Sequence, residues 1–315
     1  MRISLEQARR KILKGEVVGI PTETVYGLAA SLNNPSAIDQ IFSLKGRPAT
    51  NPLIIHIAQV TQLRDYAISM PGDITRLTQA FWPGPLTIVL PAKQEVVPTK
   101  ARAGLSTAAF RMPAHSLTLA LIEWLGPLVM PSANLSGKPS ATSREHVEAD
   151  FGENFPVLDG GKCQKGVEST ILHYENRTWH IVRLGALAPE AFLPVLGYAP
   201  EIVESHSNDG ILCPGQHLRH YAPQAKLLLD QPLQKYAGVV IGFSDRVYPA
   251  ASKVLVLGPS TDAVKCAENL FGVLRQLDVE QIGEAAVDLG FPDHGLWITI
   301  AERLMRAAEV DSSSL

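Results

Sequence analysis

The stretch SLKGRPATNPLIIHI sets Lys45 and Arg47 two residues apart, with Asn51 and His56 close behind. A lysine brings a point charge and an arginine a planar fork, a pair suited to polyphosphate oxygens. Pro48 and Pro52 stiffen the loop between them, which lowers the entropy lost in holding two cations side by side. A solvated turn would carry the same K-x-R pattern, so this stretch alone leaves both uses open. GIPTETVYG places Thr22, Glu23 and Thr24 after a strand-like run and before Gly27, read here as a turn. Strand ends are where α/β folds place ligands, but turn and cap chemistry would use the same residues.

Two further stretches end strands in polar groups. In PLVMPSANLSGKPSATS an apolar run gives way to Ser132, Asn134, Ser136, Ser140, Thr142 and Ser143. Hydroxyls, amides and open backbone N–H groups there suit phosphate or sugar oxygens; a plain Ser-rich loop has the same composition. KGVESTILHY and IVRLG supply Glu168, Ser169, Thr170 and Arg183. A lone arginine in a strand also serves as an edge-strand solubility device.

Other chemistries lack their motifs. There is no G-x-x-x-x-G-K-[ST] loop, no G-x-S-x-G elbow and no C-x-x-C pair. Cys163, Cys213 and Cys266 are scattered, which points away from a disulfide framework or zinc ribbon and toward the cytoplasm. CPGQHLRHYAP, residues 213–223, has linker punctuation yet holds Gln216, His217, Arg219, His220 and Tyr221. Cys213, His217 and His220 give three ligand-type residues without a fourth, so no protein-held metal is expected.

These stretches need a scaffold. The chain has 315 residues, 46% apolar and 19% charged, which predicts a folded protein of two domains. No apolar run reaches the length of a membrane helix. The N-terminus lacks the apolar segment of a secretory signal; Ser4 and Gln7 form a capping-box pattern for a first helix that Gly15 stops. Residues 1–195 carry 19 Lys+Arg and 16 Asp+Glu, net +3, against 9 and 15, net −6, in residues 196–315. That mild bias suits a small anion better than a duplex.

Short β-rich runs alternate with helical patterns at NPSAIDQIFSLKG, 71–82 and 116–125, which predicts a mixed, twisted sheet over residues 1–195. Periodicity lapses over the linker 196–225. Strand runs at AKLLLD, GVVIGFSD, KVLVLG and AAVDLG, with helices at 262–277 and 295–309, then predict a small doubly wound, Rossmann-like α/β unit over 226–315.

In order along the chain, PTETVYGLAA, KGRPATNPLIIH, WPGPLTIVL, STAAFRMPAH, PSANLSGKPSATS, GVESTIL and VRLG closely resemble the YrdC-like domain of L-threonylcarbamoyladenylate synthases. The linker and tail resemble the two-domain form of that family. The resemblance implies a basic concavity in which L-threonine, bicarbonate and ATP, with Mg2+ carried by the ATP phosphates, yield threonylcarbamoyl-AMP and pyrophosphate. It implies a downstream transferase complex that modifies tRNA, with tRNA itself contacted indirectly or weakly, and no membrane partner. By similarity, Lys45 and Arg47 are the catalytic cations. Arg47, Asn51, Thr107, Asn134, Thr142, Arg183 and Tyr221 would contact ATP, and Thr24, His56, Arg111, Ser132 and Ser169 would hold threonine. Leu184 stands where the family usually has proline after the arginine.

Two alternatives compete. A carbamoyl-adenylate former of the hydrogenase-maturation type would bring an acylphosphatase-like domain and C-x-x-C zinc motifs, which this sequence lacks. A double-stranded RNA or ribosome-binding module would use the basic concavity without needing a threonine subsite. The linker, on the synthase reading, becomes a lid over the ATP site, with Arg219 and Tyr221 touching nucleotide or site wall.

Overall fold

A computed structural model of the chain describes residues 1–203 and 220–308. Strands β1 (Arg2–Ile3), β2 (Val18–Ile20), β3 (Gly27–Ser31), β4 (Ile54–His56), β5 (Leu86–Pro91), β6 (Thr107–Arg111), β7 (Leu128–Val129), β8 (Val157–Leu158), β9 (Thr170–Glu175) and β10 (Thr178–Arg183) form one sheet. Its order is β1-β8-β2-β3-β7-β4-β6-β5-β9-β10, and it mixes parallel pairs such as β4/β6 with antiparallel pairs such as β5/β6. The helices of this part are α1 (Leu5–Leu13), α2 (Pro35–Lys45), α3 (Leu63–Tyr66), α4 (Ile74–Phe81), α5 (Ser116–Leu125), α6 (Arg144–Phe151) and α7 (Leu193–Leu196).

The central strands divide their residues by pleat alternation. Ile55 of β4, Leu86, Ile88 and Leu90 of β5, and Ala108 and Phe110 of β6 enter the main core. Their neighbours turn the other way, and Ile54, Val89, Ala109, Ile171 and Val182 make a small apolar floor of their own. His56 and Arg111, directly opposite in the β4/β6 register, extend that second face with polar groups.

Local signals explain the helices that frame it. The Ser4–Gln7 capping box of α1 forms in both directions. Asn34 caps α2 by accepting from the Ala37 N–H, and Pro35 occupies its first turn. Gly46 ends α2 in the left-handed region, φ 59°, and so turns the chain sharply between Lys45 and Arg47.

The tail holds β11 (Lys226–Leu228), β12 (Val239–Phe243), β13 (Lys253–Gly258) and β14 (Glu284–Val287), an all-parallel sheet of order β11-β14-β12-β13. The helices α8 (Ala263–Val279) and α9 (Leu296–Ala308) pack on each other and share one core with Leu227, Ile241, Phe243, Leu255, Leu257, Ala285 and Val287. In that core Trp297 stacks on Phe291 at 5.0 Å and meets the edge of Phe243.

Two expectations change here. Gly27 is the first residue of β3 and bridges Ser132; it is not a turn. The tail sheet is Rossmann-like in its parallel strands but not wound on both faces by helices: the β11–β12 and β12–β13 connections are loops. On the face away from α8 and α9, the Tyr248 ring lies where a Gly242 side chain would stand. Its hydroxyl donates to Asp288 and accepts from the Phe243 N–H.

Candidate functional site

One cavity of about 40 Å³ lies over the second face of the large sheet. Arg47, His56, Arg111, Ser132, Ser169, Arg183 and Tyr221 line it, all of them residues singled out from sequence. Three guanidinium groups therefore converge on one space, and the carboxylate on its wall is Glu168. Period-2 strands bring them there: His56 ends β4, Arg111 ends β6, and Arg183 ends β10, past a bulge after Ile181.

Each arginine is held by acceptors. Arg47 donates to the Asn51 side chain at 2.5 Å and to the Pro52 carbonyl at 3.0 Å. Arg111 donates to Glu23 Oε1 at 2.7 Å and to the Gly84 carbonyl. Arg183 donates to Ser169 Oγ at 3.0 Å and to the Ser169 carbonyl at 2.8 Å, and Ser169 Oγ also meets Thr87 Oγ1 at 2.7 Å. β10 is an edge strand, yet Arg183 is buried and turned inward, so it does not serve as an edge charge.

Other predicted residues stand behind the wall. Lys45 Nζ donates to the carbonyls of Ser132 and Asn134, at 2.5 and 2.6 Å, which ties α2 to the 132–134 turn. Burial and the Arg47 charge hold its ammonium well below the usual lysine range. Asn51 acts on Arg47 as above. Thr24 is fully buried and shares a hydrogen bond with Thr22. Asn134 donates to the carbonyls of Leu135 and Lys138, and its buried Oδ1 has no partner among the described residues. Thr107 is half-buried at the start of β6. Thr142 lines a separate open groove of about 500 Å³ with Arg144 and Lys162, and its N–H donates to His146 Nδ1.

Several participants carried no local signal of their role. The sequence assigns Glu23 no partner; in the fold it forms a buried pair with Arg111. His220 joins Tyr221 at the cavity, ring stacked on ring at 4.2 Å. Tyr221 also stacks on Phe271 of α8, so the end of the 213–223 stretch is seated in the tail core. Cys213, Gln216, His217 and Arg219 lie outside the described residues. Leu184, the departure from the family pattern, is buried, and its carbonyl accepts from Arg303 of α9.

His56, His146 and His220 are held below the usual imidazole range. Burial lowers His56, with Arg111 adding to it, and burial lowers His220, with Arg47 and Lys45 adding to it. Burial and Arg275 bring His146 down to about 4 from an ordinary 6.5. These groups take up protons on unfolding, so the unfolded chain binds more protons below pH 6.5. Stability is full above that value and falls as the pH drops toward 4. The urea midpoint is expected to be lower at pH 5 than at pH 7.5, with a shallower fall in a His146→Gln chain. An unchanged midpoint across that range would rule this out.

The Sua5/YciO/YrdC family model, described as telomere recombination, matches residues 10–185. A second model, described as the C-terminal domain of threonylcarbamoyl-AMP synthase, matches residues 188–309. The threonylcarbamoyl-AMP synthase of Pyrococcus abyssi is 39% identical over 94% of this chain and 92% of its own length. The chain belongs to the threonylcarbamoyl-AMP synthase family. The Bacillus subtilis member is 38% identical over 96% of this chain and 92% of its own. The crystal structure of P. abyssi Sua5 complexed with L-threonine superposes with a TM-score of 0.88 at 37% identity, over 98% of this chain and 96% of that one. A two-sheet α/β architecture is thus common to this chain and that family member. Among the described residues, no helix is long and apolar enough to cross a membrane.

Proposed function

We propose that the chain is an L-threonylcarbamoyladenylate synthase, a nucleotidyltransferase of the cytoplasm acting ahead of a tRNA threonylcarbamoyl transferase complex. Residues 1–195 would be its catalytic domain, 196–225 its linker and 226–315 its small α/β domain. The convergence of Arg47, Arg111 and Arg183 on one sheet face carries this reading. A triphosphate and an amino-acid carboxylate together need several fixed cations, and planar forks suit both.

In this scheme Arg111 takes the threonine carboxylate, while Thr24, His56, Ser132 and Ser169 set the rest of the amino acid. Arg47 would meet the phosphates from the cavity wall and Lys45 would serve them from behind it, where it ties α2 to the 132–134 turn, with Asn51, Thr107, Asn134, Thr142, Arg183 and Tyr221 completing the nucleotide side. The deprotonated threonine amine adds to bicarbonate with loss of water, giving a carbamate. A carbamate oxygen then attacks the α-phosphorus of ATP, and the bond to pyrophosphate breaks. The chain contributes positioning and charge stabilisation. Neutral His56 and His220 beside the cations leave the positive charge on the arginines.

Glu168, the carboxylate on the cavity wall, is engaged by Arg303 and Ser140. Among the described residues no cluster of three or more His, Cys, Asp or Glu side chains could hold a metal. Mg2+ would arrive on the ATP phosphates. The lid expected over this site would be formed by the linker, whose residues 204–219 lie outside the described residues.

The deciding measurement is pyrophosphate release from ATP with each amino acid in turn, with and without bicarbonate. Release should require both threonine and bicarbonate. Threonine-independent release, or none, would defeat the proposal. Salt-sensitive RNA binding indifferent to threonine would favour the binding-module alternative.

A further inference from the structure

Among the described residues, the tail sheet has no hydrogen-bonded strand in common with the large sheet, yet its two helices reach far into the first part of the chain. Arg303 of α9 is fully buried. Its Nε donates to Glu168 at 3.1 Å, another nitrogen donates to the Leu184 carbonyl at 2.7 Å, and its guanidinium lies 4.6 Å from the Tyr221 ring centre. Glu168 in turn accepts from Ser140 Oγ at 2.5 Å. One helical turn before Arg303, Thr299 donates to the Gly185 carbonyl at 2.9 Å. Arg275 of α8 donates to the Pro139 carbonyl at 2.6 Å and to Asp150 at 2.7 Å.

The segments gripped in this way are 139–140, leading to Thr142, 184–185, following Arg183, and Tyr221, together with Glu168. The first three belong to the nucleotide side of the site; Glu168 adjoins Ser169 of the threonine side. The bonds described for Arg275 and Arg303 do not reach Thr24, His56, Arg111 or Ser132. We propose that Arg303, seconded by Arg275, is a positioning residue for the ATP half of the site, so that the C-terminal helices help to build the nucleotide subsite. This rests on the proposed function. Arginine is required at 303 because one planar group must serve a carboxylate, a carbonyl and an aromatic face at once, which an ammonium cannot do. Fixing three segments before ATP arrives lowers the ordering cost of binding it.

The test compares Arg303→Lys and the Arg303→Gln/Glu168→Gln double variant with the wild-type chain in the pyrophosphate assay, with folding checked by circular dichroism. Lysine keeps the charge beside Glu168, and the double variant leaves no buried charge unpaired, so each protects folding where the other fails. KM for ATP is expected to rise about tenfold or more in either folded variant, with KM for threonine within about threefold. An ATP KM within about twofold of wild type, or equal rises for both substrates, would overturn the inference. A wild-type chain that is active beside an unaffected variant defeats this inference alone; a wild-type chain without activity defeats the proposed function and this inference with it.

Discussion

Replacing Lys45 and Arg47 together by alanine is expected to lower pyrophosphate release by about 10³- to 10⁴-fold while threonine still binds. Removing one preorganised donor from a developing oxyanion costs about 10²- to 10³-fold, and two groups serving the same phosphates act less than additively. The structure adds a reason for treating the two as a unit. Gly46 turns the chain so that Lys45 faces the carbonyls of Ser132 and Asn134 while Arg47 faces the cavity. Loss of Lys45 therefore removes a cation and frees a turn that holds two site residues. Threonine should still bind through Arg111 and its partner Glu23, which lie on other elements, though more weakly once the turn carrying Ser132 is freed. Single-turnover pyrophosphate release and calorimetry with threonine measure both halves. A double variant within about tenfold of wild type would mean that these cations are not the phosphate contacts.

Glu23→Ala is the substitution expected to cost most in stability. Glu23 and Arg111 have side chains only 6% and 5% exposed and meet at 2.7 Å. Deleting one member leaves a buried charge unpaired, which costs about 3–5 kcal/mol. Glu23→Gln keeps an acceptor for Arg111 and should cost less than alanine. Because Arg111 would also lose its orientation, KM for threonine should rise in both variants, more steeply than KM for ATP. Urea unfolding and steady-state kinetics are the readouts. A Glu23→Ala chain within about 1 kcal/mol of wild type would show that the pair does not hold Arg111 in place.

Much of the site was legible because its residues sit at the ends of strands that announce themselves. PLIIHI, STAAFRMP and PLTIVLPA are short runs bounded by turn residues, and their period-2 alternation carries His56 and Arg111 to the face opposite Ile55 and Phe110. What escaped has identifiable causes. β3 is buried on almost its whole length, so GLAAS lacks the alternation that marks a half-exposed strand. Gly27 there reflects close packing, since a side chain would start 3.1 Å from the Met130 Cβ. α6 hid behind a Ser-rich loop whose last residue, Ser143, proves to be its N-cap. Glu168 and Arg303 are 135 residues apart, and no local pattern pairs residues across such a distance.

The aromatic cluster of the tail gives its core an optical signal of its own. Of the four tryptophans, Trp82, Trp124 and Trp179 belong to the large-sheet part, and Trp297 alone sits in the second core. Subtracting the emission of a Trp297→Phe chain from that of the parent isolates the melting curve of the small sheet. The remaining tryptophans report the large one. Coincident curves are the signature of two cores that unfold as a single cooperative unit, and separated curves that of two units.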